Sequence, residues 1–257
     1  MPAFSPQHLV QVVEKPMKKR FATLAVLSVM TAHTALAMDL GHGFSMKGFG
    51  TAGLVYSNNP GADFVSESVL AASGAGRSAD ITYEVDTKAG AQLDFQATDR
   101  ISLTAQMLVK QFPDRTWNPD LQWGFIKFRA TPDLDIRAGR IRPPIYMLSD
   151  YLDVNYANSW VRPPVEFYSV TPVRRMEGGD LLWRPRTGSV TWLVQPYVGR
   201  SENDARGGLI GLDQILGMNV SASLGDLTVR AGYIHTRMSI HSSFMSLAFG
   251  AFDQLCN

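Results

Sequence analysis

The chain has 257 residues, of which 45% are hydrophobic and 18% charged, and its formal net charge is +1. Mean hydropathy is near zero, so composition argues against a disordered chain, and the neutral balance gives no reason to expect nucleic acid as a partner. The single cysteine, Cys256, excludes a disulfide framework and a cysteine-based zinc cluster.

The N-terminus carries the features of a cleavable export signal. Lys18-Lys19-Arg20 is a positive segment, residues 21–30 are an apolar core, and Ala35-Leu36-Ala37 is a small-residue cleavage pattern. An uncleaved membrane anchor is the less favoured alternative, because a spanning helix needs about 20 apolar residues.

We therefore predict a signal peptide over residues 1–37 and a mature domain over residues 38–257. Met17 directly precedes the basic cluster and is a candidate for the true start. Removing the signal takes away four of the 24 basic residues and one of the 23 acidic residues, which leaves a net charge of −2.

Period-two alternation of apolar and polar residues dominates the mature chain. Residues 101–109 place apolar side chains at odd positions and polar ones at even positions through Gln106. This pattern is typical of a β-strand with two different faces. Similar segments predict about nine strands, near residues 48–56, 86–97, 101–110, 121–130, 134–140, 179–185, 189–200, 214–224 and 226–236.

The connections between these strands alternate between short and long. Four tight turns are expected at residues 98–100, 131–133, 186–188 and 225–226. Four long connections are expected at residues 57–85, 111–120, 141–178 and 201–213. In an up-and-down meander, this alternation places all the short links at one end and all the long links at the other.

This pattern favours an all-β fold, an antiparallel up-and-down transmembrane β-barrel. Lipid cannot satisfy backbone polar groups, so strands that cross a membrane pair in a closed sheet, with apolar side chains outward and polar ones inward. A soluble periplasmic β-sandwich that binds a ligand is the alternative, although its loops need not sort by length.

Basic residues are concentrated between residues 100 and 200, which hold 14 basic and nine acidic side chains. One interpretation is an arginine ladder at a pore constriction that favours anions. The other is paired charge, with neighbouring carboxylates neutralising most of it. The candidate constriction residues are Arg137, Arg140, Arg142 and Arg162.

Residues 141–170 form an unusual long connection. Two Arg-Pro-Pro sequences, at Arg142 and Arg162, bracket a stretch rich in aromatic residues. Long connections of this kind are usually functional or disordered, and the aromatics argue for order. We expect a loop folded into the lumen that narrows the channel, with a packed external cap as the alternative. Its candidate aromatics are Tyr146, Tyr151, Tyr156 and Trp160.

No motif indicates enzymatic chemistry, a cofactor or a metal. The run from Gly48 to Gly53 matches a dinucleotide fingerprint, but a turn and not a helix follows it. His235 and His241 lack neighbouring ligands at metal-binding spacing, and no G-x-S-x-G sequence presents a nucleophilic serine. A barrel enzyme such as a lipid hydrolase is the least favoured alternative.

Three sequences carry a resemblance to a known family: Gly139-Arg140-Ile141-Arg142-Pro143-Pro144, the stretch Leu-Ser-Asp-Tyr-Leu-Asp-Val at 148–154, and Trp-Val-Arg-Pro-Pro-Val-Glu at 160–166. The chain from residue 44 to about 240 resembles porin-like outer-membrane proteins of Gram-negative bacteria, similar in plan to phosphate-selective porins. The resemblance implies a barrel of about 16 strands, a constriction loop, a homotrimer in outer-membrane lipid and passive diffusion of small hydrophilic solutes.

The chain departs from that family in strand number and at its C-terminus. About nine strands leave two open edges, which lipid penalises. Alternation is lost from Met238 onward, and the chain ends without a terminal aromatic residue. We expect an N-terminal portion of a longer barrel, with a complete smaller barrel as the alternative. A plugged barrel without conductance is the remaining structural alternative.

Overall fold

The computed structural model describes residues 36–66, 73–112, 116–154, 157–158, 163–168, 173–205 and 208–242. Its helical segments are the 3-10 turn Ser149–Tyr151 and α1 (Val165–Tyr168). The strands are β1 (Leu36–Gly41), β2 (Phe44–Thr51), β3 (Val55–Tyr56), β4 (Asp63–Phe64), β5 (Ala75–Gly76), β6 (Ile81–Thr82), β7 (Lys88–Gln96), β8 (Ile101–Lys110), β9 (Asp120–Thr131), β10 (Leu134–Ile141), β11 (Met176–Trp183), β12 (Arg186–Thr187), β13 (Val190–Ala205), β14 (Gly208–Leu224) and β15 (Leu227–Ser242).

One antiparallel meander sheet contains most of these strands. Its order is β1-β2-β7-β8-β9-β10-β11-β13-β14-β15, and β12 adds a short pairing to β13. The all-β prediction is therefore confirmed. Within the described residues β1 and β15 each pair with a single neighbour, so no closed barrel is seen there.

Most of the predicted strands and tight turns are present, with three differences. The strand predicted near residues 48–56 is divided, because β2 ends at Thr51 and Val55–Tyr56 form β3, which pairs with β6 outside the main sheet. An additional strand, β1, pairs with β2 across a turn at His42 and Gly43. The third difference corrects the long connection expected over residues 201–213: β13 continues to Ala205 and β14 begins at Gly208. The polar side chains of Ser201, Glu202 and Asn203 resemble a loop in sequence, but this segment pairs with residues 210–212.

The sheet has an apolar face on which the large side chains are exposed. One row across eight strands, defined by the register, consists of Phe44, Phe95, Leu103, Ile126, Ala138, Gly179, Val198 and Leu216. Along β8, Leu103 is 44% exposed and Met107 is 41% exposed. Alternation of side chains along each strand places these residues together.

Many side chains on the opposite, polar face are buried. Along β8, Ser102 is 8% exposed and Gln106 is 7% exposed. Equivalent polar side chains on the other strands include Gln92, Lys127, Arg137, Asp180, Gln195 and Asn219. The distribution is inverted relative to a water-soluble domain, whose buried side chains are mainly apolar.

The apolar rows end at a line of charged residues near the long-loop end of the sheet. Arg140 pairs in register with Glu177, and Glu177 pairs with Arg200. On the next two strands, Asp213 of β14 pairs with Arg237 of β15. We call these five residues the charged border. Bulges lie at this level in β13, between Gly199 and Ser201, and in β14, where Gln214 has a positive φ of 53°.

Two long connections fold over the long-loop end. Residues 52–87 contain the small pairs β3–β6 and β4–β5, packed around Val55, Ala75 and Val85. Residues 142–175 begin and end beside a second apolar cluster, built from Ile141, Met176, Tyr197, Leu212 and Ile215.

The predicted signal peptide lies almost entirely outside the described residues, as does Met17. Its last two residues, Leu36 and Ala37, pair with Gly48 and Lys47 in β1, so cleavage after Ala37 would shorten that strand. The strand β15 continues through Met238 to Ser242, past the point where alternation in the sequence becomes unclear. Within the described residues, no helix combines the length and apolarity that crossing a membrane requires.

Candidate functional site on the polar face

Ion pairs between neighbouring strands line the polar face. Arg137 on β10 donates two hydrogen bonds to Asp180 on β11, at 2.8 and 2.5 Å. Gln195 on β13 donates to the same carboxylate at 2.7 Å. The Arg137 guanidinium also lies 5.1 Å from the Phe125 ring centroid. A bidentate pair of this kind fixes the side chain in one orientation.

A second shared carboxylate lies nearer the short turns. Asp135 on β10 accepts a 2.8 Å hydrogen bond from Arg184, and Arg129 on β9 lies 3.8 Å from it. Each of the arginines described so far therefore faces a carboxylate on a neighbouring strand or turn.

Arg140 lies on the other side of the sheet. It belongs to the charged border and bonds to Glu177 at 2.5 Å and to the Leu121 carbonyl at 3.0 Å. Side chains alternate between the two faces of a strand, so residues three positions apart point to opposite faces. Arg137 and Arg140 therefore do not form one row. The role of these arginines in ion selection stays a prediction.

Arg142 starts the long loop and is buried. Its Nη2 donates to Asp153 at 2.7 Å and to Gln122 at 3.0 Å, and its Nη1 donates to the Ser149 carbonyl at 3.2 Å. These bonds fold residues 142–153 back on the carboxyl end of β10. The fourth predicted constriction residue, Arg162, lies outside the described residues.

Asp153 is the centre of a buried cluster of cations. Its Oδ1 lies 3.2 Å from the Lys110 Nζ and 3.8 Å from the Lys88 Nζ, while its Oδ2 accepts from Arg142. Burial alone would raise the pKa of Asp153, but Lys110, Arg142 and Lys88 together hold that pKa well below its usual range. We call these four residues the Asp153 cluster, and it ties the loop to β7 and β8.

The same loop is tied to the far side of the sheet. The Pro144 carbonyl accepts from Asn219 Nδ2 on β14 at 2.6 Å and from Arg230 Nη2 on β15 at 2.5 Å. Arg230 Nη1 reaches the Tyr146 carbonyl at 3.3 Å. The first part of the loop therefore crosses the polar face from β8 to β15.

The aromatic residues of the loop pack partly on one another. The Tyr146 ring lies 5.0 Å from both the Phe167 and the Tyr168 ring, measured between centroids. Burial raises the pKa of Tyr168. Tyr151 is exposed and lies in the 3-10 turn. The predicted loop aromatics Tyr156 and Trp160 lie outside the described residues.

Sequence analysis missed most of the residues that hold the loop. Lys88 and Lys110 end strands and carried no motif, and Asn219 and Arg230 lie more than 70 residues from the loop they contact. Arg142 was the exception, because its place in a group of arginines had made it a candidate constriction residue. The pairings depend on strand register, which composition does not encode.

A half-open cavity lies between the loop, the segment around residue 85 and the ends of β7, β8 and β9. It has a volume of about 100 Å³, several times the roughly 10–15 Å³ that one water needs. Within the described parts of the chain, no group of three or more His, Cys, Asp or Glu side chains is placed to hold a metal. Comparison of the chain with protein families, curated proteins and solved structures gave no match.

Proposed function

We propose that this chain is the wall of a porin-like outer-membrane barrel, through which small hydrophilic solutes diffuse without chemical turnover. The observation that supports this most is the inverted distribution of side chains on the sheet. Large apolar residues on the apolar face, such as Phe44, Leu103, Ile126, Val198 and Tyr233, are 37–68% exposed, while polar-face residues such as Gln106, Asp180, Gln195 and Asn219 are buried. Soluble monomers rarely expose such extended apolar surface.

The charged border adds a second argument. On five strands, apolar side chains give way to Arg140, Glu177, Arg200, Asp213 and Arg237 at one level. The surface of a membrane protein changes from apolar to polar at the depth where hydrocarbon gives way to water. In this proposal the border lies at the membrane surface on the side of the long loops.

The sandwich alternative requires a second layer over the apolar face. Exposure of residues such as Met218 and Tyr233 means that no described part of this chain supplies that layer. Hydrogen bonds between neighbouring strands of the meander pair the backbone N–H and C=O groups within the sheet. Hydrocarbon requires this pairing, because it offers those groups no other partner.

The proposal is tested by adding the refolded full chain to lipid vesicles and planar bilayers. We expect strands protected from protease in the vesicles and a stepwise increase of KCl conductance in the bilayers. A chain that stays monomeric in water without detergent and never associates with lipid would overturn the proposal.

A plugged barrel is the second candidate, because the loop 142–153 crosses the polar face and is fixed at both sides. Its contacts include a buried ion cluster and three hydrogen bonds from Asn219 and Arg230. Protease-protected insertion without any conductance would select this function over the channel.

A further inference from the structure

We propose that the cavity beside the Asp153 cluster is a binding site for small organic carboxylates with an apolar body. The inference rests on the proposed function and names a solute class for it. The cavity is formed by the loop, by residues 84–88 and by the ends of β8 and β9, so it lies on the polar face where a solute would pass.

Its cationic side is already organised. Lys88, Lys110 and Arg142 all lie within 4 Å of one carboxylate, and their side chains are only 14%, 16% and 7% exposed. Cations held in place by a buried partner offer an anion a preorganised site, since little side-chain entropy remains to be lost.

Arg142 also carries an unused donor. Its two terminal nitrogens bond to Asp153, Gln122 and Ser149, but its Nε has no hydrogen-bond partner within the described residues. A buried guanidinium nitrogen without a partner is costly. A carboxylate oxygen entering the cavity that Arg142 lines is a chemically suitable acceptor.

The rest of the cavity lining determines which chemical group, attached to the carboxylate, would fit the cavity. It includes aliphatic and proline side chains as well as the rings of Tyr146 and Tyr168. The aliphatic and proline side chains of the lining include Val85, Pro143, Ile145, Leu152, Val165 and Val173. Inorganic phosphate would use the cations and leave this surface in contact with water, whereas an aryl or alkyl carboxylate would cover it.

The net charge of the cavity lining also favours a carboxylate as the ligand. The ionisable residues lining the cavity are four cations, Lys88, Lys110, Arg142 and Arg174, and three acids, Glu84, Asp86 and Asp153. The surplus of one positive charge suits a monoanion better than a dianion.

Equilibrium dialysis with radiolabelled benzoate, using the full chain in lipid vesicles, tests the inference. We expect saturable binding that benzyl alcohol does not displace and that acetate displaces at least tenfold less well than benzoate. Lys110→Gln should weaken binding by about tenfold or more, because a charge-assisted contact is lost. Lys110→Arg should retain most of it.

The matched control is Lys47→Gln, which removes a polar-face lysine that pairs with Asp94 away from the cavity. It should bind benzoate as the unmodified chain does. Absence of saturable binding, equal competition by phosphate and benzoate, or equal loss in the Lys47 and Lys110 variants would overturn the inference.

KCl conductance, measured separately, distinguishes the two proposals. A conducting chain that does not bind benzoate contradicts the carboxylate site alone. A chain that binds benzoate but never conducts contradicts the channel and keeps the site.

Discussion

Asp153 connects three separate parts of the chain at its end of the sheet. Its two oxygens contact cations from β7, from β8 and from the start of the loop. Charges removed from water need compensation, and here one carboxylate contacts three cations at once. Its removal therefore takes a counter-charge away from all three.

We predict that Asp153→Asn frees the loop from the β7–β8 side of the sheet. Breaking a buried pair by removing one partner costs about 3–5 kcal/mol. Limited trypsin digestion of the vesicle-inserted chain should cut within residues 142–175 much faster than in the unmodified protein. Lys47→Gln, which removes a lysine that is 59% exposed, should cost at most about 1 kcal/mol and leave the digestion rate unchanged.

The Asp153 cluster also predicts how the loop responds to pH. Because the folded-state pKa of Asp153 is depressed, the ionised form stabilises the fold at every pH above the unfolded value of about 3.9. That contribution is lost only as the pH falls below 3.9 and through the folded pKa. Protease resistance of the loop should be constant from pH 8 to pH 5; a loss centred near pH 6 would contradict this assignment.

At the scale of the elements, close contact between strands restricts some glycines. Tyr197 on β13 lies across Gly217 on β14, so that a Cβ atom at position 217 would overlap the tyrosine ring. Gly48 on β2 differs, since the nearest atom to a Cβ there is the Gly90 carbonyl oxygen at 3.8 Å.

Gly217→Ala should therefore destabilise the sheet by about 1–3 kcal/mol, because Tyr197 must move out of a packed cluster. Gly48→Ala has room for the methyl group and should be neutral or slightly stabilising. Urea unfolding midpoints of the two variants in the same detergent would measure the difference. Equal midpoints would show that Tyr197 moves at no cost.

Alternation allowed the strands to be predicted, but it did not show where each ended. The pattern Ser102, Leu103, Thr104, Ala105, Gln106 determines both the period and the faces of β8, and the tight turn at Gly225 and Asp226 is equally local. The strand β1 was missed because its first residues coincide with the cleavage pattern. The top of β13 was missed because the side chains of Ser201, Glu202 and Asn203 are polar. The top of β14 was missed because it lies beyond the bulge at Gln214, which interrupts the alternation.

The site was less predictable than the fold, because its contacts join residues far apart in the chain. Arg137 and Asp180 are 43 residues apart, and their pairing follows from the β10–β11 register. Clustering along the chain suggested one group of arginines, but Arg137 and Arg140 lie on opposite faces. Counting charges could not distinguish these arrangements.

At the scale of the whole molecule, the sheet separates two chemical environments. Ten strands lie along its path, so β1 and β15 run in opposite directions, the arrangement that antiparallel pairing between the edges would need. The apolar face spans β14 from Leu224 to Leu216, about 26 Å of extended chain at roughly 3.3 Å per residue. These nine residues fall within the roughly 9–11 residues with which a tilted strand crosses a membrane.

Met218→Arg places a charge in the middle of this band and should oppose insertion by about 2–4 kcal/mol. Ser221→Arg, three residues further along the same strand, faces the polar side and should insert normally. Flotation of vesicles mixed with each refolded variant gives the bound fraction. Normal flotation of Met218→Arg would mean that the apolar face does not meet lipid.

The unusual length of β13, β14 and β15 has a consequence for the proposed outer-membrane location. Each has 16 or 17 residues, whereas about 9–11 residues cross a bilayer. Beyond Arg200, Asp213 and Arg237 each continues for another five residues, roughly 16 Å. In the proposed orientation, the tops of β13, β14 and β15 stand above the membrane surface, where a large external ligand such as an antibody can reach them.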